Sequence, residues 1–276
     1  MENFQYILPE IFISASIMLF LLFGVFKKNS ANLIYNLSTI SLVILLALII
    51  NLSSFNKIYL FNSSYLIDNL SNYMKIILVG SGIFVMLTGS RYIQVINLNK
   101  IEYPILILSS SLGMMIMISS HDLIVFYMGL ELQSLALYVL ASFNRDNLLS
   151  TESGLKYFVL SALSSGLLLY GCSLTYGFSE STNFDQILIN STEFNYGTTF
   201  GIVFILVGLA FKISAVPFHM WAPDVYEGSP TSVTLFFTMV PKIAALTVFI
   251  RFLYVPFLNL IDQWQMIIIF LSIASM

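Results

Sequence analysis

The stretch "GLAFKISAVPFHMWAPDVYEG" (208–228) decides how this chain is read. Gly208 to Val216 has the apolar character of the end of a membrane helix, yet Lys212, Pro217 and His219 follow one another through it and its exit. Even on the gentlest insertion scale an ammonium at the centre of a membrane helix costs about 2.5–3.5 kcal/mol. A sequence that keeps such a residue must give it a partner, water or a protein interior.

The rest of the chain supplies the membrane setting. Of its 276 residues 58% are hydrophobic and 9% charged, with a mean hydropathy of +0.90, whereas about 25% of a soluble domain is charged. Apolar runs predict spans at 10–27, 33–52, 74–93, 102–120, 122–142, 153–177, 198–218 and 229–254. A ninth starts near Trp264. Gln265 to Met276 would add only roughly 18 Å of helix, short of a ~30 Å hydrocarbon core, so the chain reads as a piece of a longer protein. The first run precedes Lys27 and Lys28 rather than following basic residues, which favours a retained anchor over a secretory signal. The net charge of −3 gives no case for nucleic-acid binding. A lone Cys172 excludes a disulfide framework, and His121 and His219 are too few for a multi-haem protein.

Orientation follows the Lys/Arg bias. With the N-terminus outside, Lys27, Lys28, Arg91, Lys100, Arg145 and Lys156 fall inside, against Lys57, Lys75 and Arg251 outside. The loop 178–197, with Glu180, Asp185 and Glu193, is then also outside. All these charges are read as lying in loops or at helix ends.

Three ionisable residues remain within spans: Glu131, Lys212 and Lys242. Unpaired and facing lipid they would cost about 7–10 kcal/mol together, comparable with the stability of a whole domain. Helical spacing gathers Tyr127, Glu131, Ser134 and Tyr138 on one face, and Thr231, Thr234, Thr238 and Lys242 on another. His219, seven residues past Lys212, shares its face if the helix persists. Hydroxyls on such stripes also occur simply bonding their own backbone or a neighbouring helix. Pro217 and Pro241 cannot donate to the carbonyls of Ile213 and Phe237, and broken backbone at membrane depth needs protein or water around it. The two prolines therefore read as helix breaks beside hydrated lysines. Removal from water favours a neutral amine and a nearby carboxylate favours the ammonium. Pairing Lys212 with Glu131 would hold a proton, and separating them would release it toward Lys242. No phosphate loop and no Cys/His cluster of metal-binding spacing is present. His219, near Asp224 and Glu227, reads as a cap or relay rather than a metal ligand.

On these residues the sequence resembles the antiporter-like subunits of respiratory complex I. "FYMGLELQSLALYVLASF" (126–143) is similar to the family's glutamate-bearing helix, and "GLKYFVLSALSSGLLLYG" (154–171) to the next one. The segment 208–246 is similar to the broken helix, its loop and the second lysine-bearing helix. "PFHMWAPDVYEGSPT" is closest to the N-type branch, which includes mitochondrial NADH dehydrogenase subunit 2. The resemblance implies an all-α polytopic bundle of two inverted five-helix repeats, each with a broken helix. This chain would hold early helices (1–100), the first repeat (101–254) and the start of a second (255–276). It implies Glu131 as modulating carboxylate, Lys212 as its proton-carrying partner, Lys242 as the central-axis lysine, and Lys156 and His219 as accessory relays. The family's further lysine, in the second broken helix, has no position here. NAD, FMN, iron–sulfur clusters and quinone would belong to partner subunits, with none bound here. The implied partners are other membrane subunits of complex I within a lipid bilayer. The implied membrane is a bacterial plasma membrane, with the mitochondrial inner membrane as the alternative. Two rivals remain: an Mrp-type cation/proton antiporter subunit, and a non-conducting scaffold.

Overall fold

Short polar side chains start many of the long helices. Asp68, Asp122, Asn147 and Asn195 each turn an oxygen onto a free N–H of the first turn, answering donors that a helix leaves unpaired. The computed structural model describes residues 2–27, 30–54, 56–190 and 195–276; Lys28 and Glu193, used in the charge reading, lie outside them. Helices α1 (Leu8–Phe26) and α2 (Ala31–Asn51) precede a hairpin of β1 (Ile58–Leu60) and β2 (Tyr65–Ile67). Then come α3 (Asn69–Val95), α4 (Glu102–Ile118), α5 (Leu123–Ala141), α6 (Leu148–Ser179) and the short α7 (Phe184–Asn190). Helix α8 (Tyr196–Ile213), the short α9 (Trp221–Gly228), α10 (Thr231–Tyr254) and α11 (Ile261–Ser275) complete the chain.

Among the described residues, 8 helical stretches are long and apolar enough to cross a membrane. The chain is a polytopic, almost wholly helical membrane protein. The expected spans all appear as helices, although α6 overruns 153–177 at both ends and the last helix begins at Ile261 rather than near Trp264. Helix α4 has only 17 residues, about 25 Å. Its burial removes the need to match the bilayer: it packs against α1, α2, α3, α5 and α10, and most of its side chains are buried.

Two helix pairs approach backbone to backbone. A Cβ at Gly129 of α5 would lie 2.8 Å from the Met117 nitrogen of α4, and one at Gly171 of α6 would lie 2.8 Å from the Gly201 oxygen of α8. Small residues permit this contact, which is how helices gain packing energy where lipid removes the hydrophobic drive. Contact between α5 and α6 joins the two pairs, and serines of α5 and α6 meet Lys212 of α8.

The hairpin was not anticipated from the sequence. Its strands pair Ile58 with Ile67 and Leu60 with Tyr65, around a turn in which Phe61, Asn62 and Ser63 all have positive φ. It caps one end of the bundle, and its backbone partners come from the α4–α5 corner. Leu66 donates to Ser119 and His121 donates to Ser64, while Phe184 of α7 donates to the His121 carbonyl.

That end also holds two ion pairs. Lys75 Nζ lies 2.6 Å from Glu10 Oε1, with the Tyr65 hydroxyl donating to the same oxygen at 2.7 Å. Arg251 of α10 pairs with Asp68 at 2.7 Å. Lys75 and Arg251 are therefore not loop or end charges in water; both are buried, because carboxylates from distant segments answer them. Burial works against the Asp68 charge, but the Arg251 guanidinium and the Ser71 donors outweigh it and hold the carboxyl below the usual range.

Asp68→Asn should keep the α3 cap and lose the pair. Detergent-solubilised protein should lose on the order of 3 kcal/mol of unfolding stability, the low end for a broken buried pair because Asp68 keeps some solvent. In the native protein this contribution is full above the ordinary carboxylate value of 3.8 and fades as pH falls through the lower folded value. Unfolding measured against pH in both variants should therefore converge only in acid.

Candidate functional site

Lys212 ends α8. It is 7% exposed, and the helix stops directly after it because Ser214 turns left-handed, with φ 65, and Ala215 N–H bonds back to the Ala210 carbonyl. This is a left-handed helix cap made by a serine. The break thus falls three residues ahead of Pro217, which is exposed in the following turn. Since the helix does not persist, His219 does not continue the face of Lys212. His219 is half-buried in the turn before α9, its Nδ1 without a hydrogen-bond partner.

The Lys212 ammonium meets hydroxyls rather than a carboxylate. Nζ donates to Ser161 Oγ of α6 at 2.6 Å and to Ser134 Oγ of α5 at 2.8 Å. The Tyr138 ring lies 5.8 Å from Nζ, and its hydroxyl donates to Ser161 Oγ at 2.7 Å. Glu131 precedes Ser134 by three residues on α5, but no ion pair within 4.0 Å joins it to Lys212. The pairing expected from the sequence, direct or through one water, is not a direct contact: the two serines hold the lysine. Glu131 is half-buried beside Tyr127, and its Oε1 has no hydrogen-bond partner.

Lys242 sits on α10, which runs unbroken through Pro241. The proline removes one ladder donor without ending the helix, so the second expected break is absent. The Lys242 Nζ lies 5.5 Å from the Tyr226 ring of α9, and the buried Tyr226 hydroxyl has no partner. The threonine stripe divides. Thr234 bonds the Tyr226 carbonyl at 3.1 Å and stitches α10 to α9, whereas Thr238 is exposed and bonds the Leu235 carbonyl of its own helix. Thr231 is exposed and receives its contact through backbone, its N–H donating to the Tyr92 hydroxyl at 3.1 Å.

Lys156 lies toward the end of α6 opposite the hairpin and pairs with Asp224 at 2.6 Å and Glu152 at 2.7 Å. These residues, with Glu227, line a small cavity of about 110 Å³. Asp224 is thus committed to a lysine, and no group of His, Cys, Asp and Glu that could hold a metal ion occurs among the described residues. Sequence reasoning missed Ser161 and Trp221. Trp221 donates Nε1–H to the Phe211 carbonyl at 2.9 Å and stacks on Tyr157 with centroids 4.7 Å apart. Tyr157 meets Tyr138 edge-on at 5.0 Å. An aromatic column therefore links the loop after the break to the lysine seat.

A buried lysine at a helix break, with a half-buried carboxylate on the neighbouring polar stripe of a polytopic bundle, defines an antiporter-like membrane protein. The family described as NADH:quinone oxidoreductase/Mrp antiporter, transmembrane, matches residues 120–276, and the chain belongs to it. NADH-quinone oxidoreductase subunit N of Pelagibacter ubique is 70% identical over 278 residues, covering 100% of this chain and 59% of that protein. The chain thus spans less than two thirds of this relative. A chain of respiratory complex I from Thermus thermophilus, solved with bound aureothin, superposes with a TM-score of 0.76 at 26% identity, over 88% of this chain and 52% of that one. A chain of the Mrp complex from Dietzia has a TM-score of 0.77 at 19% identity, over 92% of this chain and 49% of that one, and shows the shared fold alone.

Trp221→Phe should keep the stacking and lose the bond to the Phe211 carbonyl. Thermal unfolding in detergent should show a loss of about 1 kcal/mol, the net worth of one hydrogen bond.

Proposed function

We propose that this chain is part of a proton-translocating membrane subunit of NADH–quinone oxidoreductase. The observation that carries the reading is a buried lysine held by hydroxyls and off a half-buried carboxylate whose Oε1 has no hydrogen-bond partner. A charge pair left open in a low-dielectric interior is poised to take up or give up a proton when it closes or separates. The Pelagibacter relative, named as a subunit of that enzyme, supports the assignment. The fold is shared with an Mrp-type antiporter, and the level of identity to subunit N favours the first reading.

In this reading Glu131 and Lys212 form the switchable pair and Lys242 receives the proton beyond them. Lys156, His219, Thr234, Thr238, Tyr127 and Ser134 shape the hydrated route, and Pro241 leaves the Phe237 carbonyl without its ladder donor beside it. Residues 1–100 are N-terminal helices, 101–254 the first repeat and 255–276 the beginning of the second. The chain itself binds no redox cofactor; NAD, FMN, iron–sulfur clusters and quinone sit in partner subunits. Its neighbours are antiporter-like and small membrane subunits of the complex. It lies in a bacterial plasma membrane, N-terminus outside.

Lys242 tests the route. In the full-length protein within the assembled complex, Lys242→Ala should lower proton pumping roughly tenfold or more, as expected for losing a positioned proton carrier. Lys242→Arg should also impair it, because guanidinium does not release its proton at accessible pH. An assembled Ala variant that pumps at the wild-type rate would remove Lys242 from the pathway.

A further inference from the structure

We propose that Ser134 and Ser161 form a second seat for the Lys212 side chain, in competition with Glu131, and that Tyr138 orients it. The inference rests on the reading of Lys212 as a proton carrier and adds what holds the lysine when it is away from its carboxylate. Ser134 and Ser161 come from two helices, α5 and α6, and converge on a lysine from a third, α8. Both are buried, at 1% and 0% exposure.

Ser134 is fixed as an acceptor, and Ser161 is oriented by Tyr138. The Ser134 hydroxyl donates to the Leu130 carbonyl at 2.7 Å, which spends its hydrogen and leaves its lone pairs for Nζ. The Tyr138 hydroxyl donates to Ser161 at 2.7 Å, turning that oxygen's remaining acceptor capacity toward the lysine. The seat therefore takes two hydrogens. An ammonium has three donors and a neutral amine has two. The neutral amine spends both on the serines, while the ammonium keeps one hydrogen and a charge, and both call for Glu131. Neutral hydroxyls answer a charge less strongly than a carboxylate does, so protonation biases the lysine toward Glu131 and deprotonation returns it to the serines.

The two positions are within reach of one side chain. Ser134 follows Glu131 by three residues on the same face of α5, an axial rise of about 4.5 Å, so a lysine can exchange them by rotamer changes alone. Ser134, Ser161 and Tyr138 are thus positioning residues: they touch the proton carrier and set how often it meets its partner.

The test uses the full-length protein in the assembled complex. Three readouts are needed: proton pumping per assembled complex, the infrared carboxylate band of Glu131 (assigned by its loss in Glu131→Gln), and the structure around Lys212. The Ser134→Ala/Ser161→Ala double variant should bring Nζ into hydrogen-bonding distance of Glu131, shift that band and slow pumping several-fold. Tyr138→Phe, which keeps the ring, should shift the band the same way by less. An unchanged Glu131 band with Nζ still apart from it, whether or not pumping falls, overturns the seat. Should the double variant fail to assemble, Tyr138→Phe decides alone, and an unmoved band in it overturns the seat. Lys212→Ala separates the two levels. If it pumps normally, the proton-carrier reading itself fails. If it stops pumping while the double variant matches wild type in pumping and band, only the seat fails.

Discussion

A charge in a low-dielectric interior is tolerated only where a group answers it, and the helix arrangement follows from how three buried cations are answered. Lys75 is closed by Glu10 and Arg251 by Asp68, each within 2.7 Å. Lys212 is satisfied by neutral hydroxyls, while Glu131 Oε1 is left without a hydrogen-bond partner. Closed buried pairs are strongly destabilised when one partner is removed, which suits joints that hold. An open arrangement keeps its Coulomb attraction unspent. The chain thus separates charges that fasten helices from a charge free to change partner.

The two ends of the bundle are built differently. At the hairpin end, backbone bonds run from β2 to the α4–α5 corner and on to α7, and both closed ion pairs lie there. At the other end α9 is held by the Lys156–Asp224 contact, by Thr234 and by one indole hydrogen bond. The hydrogen bonds and ion pair that hold that segment come from side chains, and it carries Tyr226 beside Lys242.

The helices were legible because a span of about 20 apolar residues is a local property, read without knowing any neighbour. The ionisable residues worth attention were legible for the same reason: Lys212 and Glu131 interrupt apolar runs. What decided their contacts was not local. Ser161 belongs to a helix whose sequence contains several serines, and nothing in the sequence says which of them faces α8. Lys75 looked like a helix-end charge because its partner lies 65 residues away. The helix end at Ser214 was misplaced toward Pro217 because proline is a visible breaker, whereas a serine in the left-handed region is a choice the surrounding structure makes. Residues 58–67 were missed as strands because two three-residue strands carry too little alternation to register.

The contact at Gly129 bears on time as well as on space. With α5 lying against α4 at backbone distance two residues before Glu131, α5 has little room to slide or roll on its own, since packed interiors do not deform continuously. A change of partner by Glu131 or Lys212 then falls to side-chain torsions, whose unhindered flips take picoseconds to nanoseconds, rather than to collective helix motions of microseconds to milliseconds. Local exchange is fast relative to such motions, so a slow step in turnover would originate outside this helix pair.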